Sequence, residues 1–172
     1  MPDLLTHVLV GLILVKLFKV RKKSLVLLGA ALPDIISKLP LWRFFPTSRN
    51  IFFFGLMPFH SLIGLIILTV LISFFFNYKE YKTITLISLG WISHIILDLT
   101  NKHYLIKQVY LLMPFSYKAT EIGWLWQDEY LIMLLSSIVI LITIYIIENV
   151  TKWRKIKKKH DKVKGIKTSL IS

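Results

Sequence analysis

An all-α, multi-pass membrane bundle of about five helices is the fold class this chain predicts, and three observations predict it. The first is composition: 55% of 172 residues are hydrophobic and the mean hydropathy is +0.66, too apolar for a soluble domain of this size. The second is the division of the apolar residues into five separate runs. The third is a set of Lys/Arg clusters that fall between and after those runs rather than inside them.

The runs are 4–18, 24–36, 61–76, 83–97 and 130–147, the last being 18 residues without a charge. A full span prefers roughly 20 residues, so the shorter runs must extend into their flanks or sit in thinned bilayer. The second run has the weakest claim to a full span. The start MPDLLTH carries an acid, and the RKK cluster at 21–23 follows the first apolar run instead of preceding it, which is not the pattern of a cleavable signal peptide. With no cysteine, disulfides, thiolate ligands and a Cys nucleophile are excluded.

The net charge of +13 is unevenly placed: residues 152–172 hold nine Lys/Arg against one acid, Asp161. This divides the chain into a membrane helical domain, 1–150, that would carry any site, and a basic cytoplasmic tail, 151–172. A polybasic run directly after a membrane helix is a topology signal and an attractor for anionic lipids, each charge contributing about 1 kcal/mol near such a surface. Nucleic acid is disfavoured as a partner, because the tail has no aromatic interleaving beyond Trp153.

Alternate connections separate two sides. The turns at 19–23 and 77–82, with the tail, are expected to be cytoplasmic, leaving the N-terminus and the loops 38–57 and 101–129 outside the cell membrane. This topology sets the heights of the ionisable residues in the apolar runs. His7 and Asp34 stand about 20 Å above the first cytoplasmic turn, and His60, His94 and Asp98 about 22 to 28 Å above the second. All five share the outer part of the membrane; a charged side chain at mid-bilayer costs about 2.5 to 3.5 kcal/mol, so an ionisable residue in an apolar stretch by default marks function.

His94 and Asp98 are an i, i+4 pair in HIILD and project from one helical face. Asp34 and Asp98 lie near the C-terminal ends of their helices, where the macrodipole favours a cation. Pro58 suits a helix start just before His60. Together the three imidazoles and two carboxylates suit a borderline divalent metal, zinc first, with manganese or iron as alternates, as one or two ions. Taken singly, each residue has a blander role: a membrane His usually hydrogen-bonds to a neighbouring helix, and Asp34 with Asp98 would serve as an ion or proton relay. Trp42, Trp124 and Trp126 fit an outer aromatic belt and Trp153 an inner one. Asp3, His103, Glu121, Asp128 and Glu129 are expected at or outside the outer interface, with His103 or Glu121 available to a second metal. No GxSxG, HExxH or Gly-rich phosphate loop is present.

MPDLLTHVLVG at the start, GAALPDI at 29–35, PFHSL at 58–62, HIILDLT at 94–100 and LLMPFS at 111–116 resemble the YdjM-like inner-membrane proteins, described as metal-dependent hydrolases. The resemblance spans residues 1–120. It implies His7, Asp34, His60, His94 and Asp98 as ligands, and a distant similarity to the zinc-dependent phospholipase C and P1 nuclease group, whose HxxxD pair His94 and Asp98 match. Two stretches depart from the family pattern. IFFFGLM stands where a further His and Arg often precede PFHSL, and NKHYLIKQ follows HIILDLT in place of a glycine-containing turn.

The reading is then a membrane-embedded hydrolase of a phosphoester, with a lipid headgroup as candidate substrate. His94 and Asp98 would be catalytic, and Arg43, Arg49 and Lys102 would bind the anionic substrate. The alternatives are ion or proton translocation, and haem held between two of His7, His60 and His94.

Overall fold

The computed structural model describes residues 4–38, 60–102, 109–126 and 130–169; among these the regular structure is helical apart from a two-residue strand pairing and an isolated antiparallel bridge, Val109 with Thr120, in the turn-rich segment 109–126. The helices are α1 Leu4–Leu17, α2 Lys23–Lys38, α3 Leu62–Ser73, α4 Glu80–Thr100 and α5 Tyr130–Ser169. Each corresponds to one apolar run. Two differences have physical reasons. α4 starts three residues before its run, at Glu80, where an acid in the first turn complements the helix dipole. α5 continues through the basic stretch to Ser169 without a break at residue 150, since Lys and Arg are good helix formers.

Among the described residues, only α4 and the 131–158 part of α5 are long and apolar enough to cross a membrane. α1 and α3 are apolar but short, at 14 and 12 residues, and α2 carries Pro33 inside it. α5 is the less buried of the two long helices, with 11% of its apolar stretch covered by the rest of the protein against 39% for α4.

The helices pack around α4, whose most extensive partner is α2. Two glycines make this crossing. A Cβ built on Gly29 would overlap the Ile87 carbonyl, and one on Gly90 would overlap the Val26 carbonyl. The two backbones therefore touch, as small residues allow where lipid removes the hydrophobic incentive and close packing must hold helices together. Gly11 of α1 faces the same place, its Cβ position 3.2 Å from the Ala30 methyl. Below this layer Leu25, Leu65, Ile87, Trp91 and Ile95 form the apolar core.

The α1–α2 turn closes with a Schellman-type cap: Val20 N–H donates to Val15 O at 3.0 Å and Lys19 N–H to Lys16 O at 3.2 Å. Lys19 takes φ 50°, a place where glycine has no Cβ conflict. Lys19→Gly is expected to raise stability by about 1 kcal/mol, read as a higher thermal midpoint in detergent. A lower midpoint would show that the lysine side chain outweighs its strained backbone.

At the other end, residues 109–126 tie α3 to α4. Leu62 N–H donates to Leu111 O at 3.0 Å, while Ile122 and Trp124 N–H donate to Leu99 O at 2.7 Å and Thr100 O at 2.9 Å. The strands β1 Asn101–Lys102 and β2 Leu125–Trp126 pair in parallel beside them. This short pairing has no signal in the apolar pattern, because the strands are two residues long.

Candidate metal centre

The three histidines and two aspartates within or beside the apolar runs, His7, Asp34, His60, His94 and Asp98, meet in one buried cluster. His7, Asp34, His94 and Asp98 are fully buried and His60 is 6% exposed. Two overlapping groups emerge, His7/His94/Asp98 and Asp34/His60/His94, the ligand atoms in each lying within 4.8 Å of one another. His94 belongs to both and is the centre.

Each element delivers its residue for a local reason. His7 sits one turn before Gly11 on α1, so the close approach of Gly11 to Ala30 brings it onto α2 and α4. Asp34 follows Pro33, which lacks an N–H and interrupts the hydrogen-bond ladder in that turn. His60 precedes Ser61, the N-cap of α3, whose Oγ accepts from Gly64 N–H at 3.0 Å. That hydroxyl serves the helix. His94 lies one turn after Gly90, and Asp98 one turn after His94.

The hydrogen bond of His94 decides the chemistry. Its Nδ1 lies 2.8 Å from the Ala30 carbonyl. A carbonyl only accepts, so Nδ1 carries the proton and a neutral His94 presents the lone pair of Nε2. That nitrogen faces Asp98 Oδ2 at 3.2 Å, and His7 Nε2 stands 3.6 Å from Asp98 Oδ1. The His7 and His94 rings stack with centroids 3.8 Å apart, and His60 tilts against His94 at 5.4 Å.

A lone pair facing a carboxylate in a buried site needs a positive charge between or on them. A proton on His94 would supply it, and so would a divalent cation. The donor set fits the cation: ligands bound at zinc distances form tetrahedral edges of about 3.4 Å. The separations of 3.2 and 3.6 Å bracket that value. A backbone carbonyl that fixes the far nitrogen of a ligating imidazole is also the usual support of a metal-bound histidine.

Arg43, Arg49, His103, Asp3, Asp128, Glu129 and Trp42, the side chains of Lys102 and Trp126, and Pro58 lie outside the described residues. Glu121 is exposed, and Trp124 and Trp153 are 78% and 63% exposed. The Ala30 carbonyl and the Gly29/Gly90 crossing are additions that the site chemistry alone did not name. The glycines carried a signal, being small residues within apolar runs, whereas a backbone carbonyl carries none.

Compared with known proteins, the chain matches the family model described as YdjM inner membrane protein over residues 1–159. No curated protein and no solved structure is significantly similar. The match extends beyond the blocks at 1–120 and takes in α5 as far as residue 159. It does not bring in zinc-dependent phospholipase C or P1 nuclease.

Proposed function

The chain belongs to the YdjM inner membrane protein family, and from that premise we propose that it is a multi-pass membrane protein whose His–Asp cluster holds a divalent cation and hydrolyses a phosphoester. The observation that carries this reading is the tautomer of His94, fixed by Ala30 so that a bare imidazole nitrogen and the Asp98 carboxylate converge where a cation would sit. Zinc suits the donors best, with manganese or iron as alternates.

A divalent ion bound there would polarise a phosphoryl oxygen and make water acidic enough to attack near neutral pH. The protein's own parts supply order and charge. Asp98, lying against both His7 and His94, compensates the positive charge and orients the attacking water. Asp34 adds the second negative charge from α2. Arg43, Arg49 and Lys102, on the connections next to the cluster in sequence, are the proposed partners of the anionic headgroup.

The test is release of phosphate or headgroup from a panel of phospholipids and soluble phosphodiesters, with added zinc or manganese and a chelator control. Metal-loaded wild type should turn over at least one member, and Asp98→Ala none. Arg43→Ala and Arg49→Ala should mainly raise KM. No release above Asp98→Ala across the panel would reject hydrolysis.

Complete burial of the cluster favours a second reading, a proton or ion relay through Asp34 and Asp98 without hydrolysis. Ion flux in proteoliposomes that persists in metal-stripped protein would support it. A haem between His7 and His94 is disfavoured, because the two rings are already in van der Waals contact where the macrocycle would lie.

The proposed orientation puts the N-terminus and residues 38–57 outside and the tail in the cytoplasm. Since the chain has no cysteine, single cysteines at Ser48 and Ser169 should react from opposite sides. Labelling from one side only would contradict the orientation.

A further inference from the structure

We propose that the groove between the α1–α2 turn and the first two turns of α4 binds the headgroup of an anionic phospholipid. It is an open cavity of about 510 Å³ lined by Arg21, Lys22 and Lys82, with Val20, Tyr81 and Leu86 as apolar wall. Among the described residues, no carboxylate lines it. It is at the opposite end of α4 from the His–Asp cluster, so it is independent of the metal reading and of hydrolysis.

Three features point to a lipid rather than a free anion. The wall combines cationic ends with an aliphatic and aromatic surface, which matches a phosphate next to glycerol and acyl carbons. The cations come from two elements separated in sequence and converge on one concavity, unlike the tail, where Lys155, Lys157 and Lys158 are exposed along a single helix. Lys22 is held from the side by the ring of Tyr78, its Nζ 4.2 Å from the centroid, and Lys82 has Tyr81 at 5.9 Å. Exposed tyrosines beside lysines are the residues that settle at headgroup depth, so the groove lies at the level where phosphates are concentrated. Thr85 does not compete for the ligand, since its hydroxyl donates to Tyr81 O at 2.7 Å.

The experiment uses the full chain in nanodiscs of phosphatidylcholine containing labelled phosphatidylglycerol, with retained lipid read by native mass spectrometry after gentle detergent release. Wild type should retain the anionic lipid. Arg21→Gln/Lys22→Gln/Lys82→Gln should reduce retention roughly tenfold or more. Thr85→Trp, which keeps every charge but fills the groove from an exposed position, should reduce it similarly. A control with the same loss of charge, Lys155→Gln/Lys157→Gln/Lys158→Gln, should retain the lipid. Equal loss in groove and tail variants would show diffuse attraction and overturn the proposal, as would unchanged retention in Thr85→Trp. Displacement of the lipid by inorganic phosphate would also overturn it, identifying the ligand as a free anion.

Discussion

Gly90→Leu is expected to abolish the α2–α4 crossing and the cluster built on it. The Cβ alone would overlap the Val26 carbonyl, and a leucine adds three more carbons in the same place. Overpacking an apolar core costs about 1–3 kcal/mol when side chains can rotate aside. Here the obstacle is backbone, which cannot rotate, so the helices must separate. A loss above about 3 kcal/mol is a large share of the 5–15 kcal/mol typical of a folded protein. Separation by even an ångström would pull the Ala30 carbonyl away from His94 Nδ1 and free the ring to turn. Gly90→Leu and Gly29→Leu should therefore lower the thermal midpoint strongly and lose bound metal together. Ile92→Ala, at an exposed position of the same helix, should do neither. Near-wild-type stability in Gly90→Leu would mean that the two backbones do not touch.

The second large effect concerns metal-linked stability. A ligand that binds only the folded state at about 100 times its Kd adds about 2.7 kcal/mol. For a chain of this size that raises the thermal midpoint by about 5–10 °C. Zinc added to chelator-stripped wild type should give a shift of that order, and Asp98→Asn should give almost none. Asparagine keeps the shape of the side chain but removes the negative charge that stands against both His7 Nε2 and His94 Nε2. Ser93→Ala is the control: its hydroxyl donates to Gly90 O at 2.6 Å and points away from the cluster's chemistry, so its zinc shift should match wild type. An equal zinc shift in Asp98→Asn would remove Asp98 from the ligand set.

Much of this arrangement was legible in the chain because burial in a membrane makes polar residues conspicuous. Five apolar runs announced five helices, and five ionisable residues inside or beside them, at one computed height, anticipated a common level. The structure adds that level's meaning, for a shared height permits contact but does not require it. Contact depends on the rotation of each helix, and rotation is fixed here by Gly11, Gly29 and Gly90, whose role is visible only once two backbones are placed together. Helix ends were less legible. The Pro58 expectation lies outside the described residues, and the cap of α3 is Ser61, whose side-chain oxygen reaches Gly64 N–H and fixes the first turn. The length of α5 was hidden by its change of character, since the apolar run stops near residue 147 while helix propensity continues to Ser169. The tie between residues 109–126 and the ends of α3 and α4 rests on backbone hydrogen bonds, for which side chains give no code.

The central claim is that His7, Asp34, His60, His94 and Asp98 together hold a divalent cation, and elemental analysis of protein purified without added metal tests it most directly. The wild type, Asp34→Ala/Asp98→Ala and His160→Ala should be measured side by side at equal protein concentration. Stoichiometric zinc, manganese or iron is expected in the wild type and in the tail variant, with little or none in the double aspartate variant. Metal retained in full by the double variant, or absent from a folded wild type that also fails to take up zinc, would contradict the account.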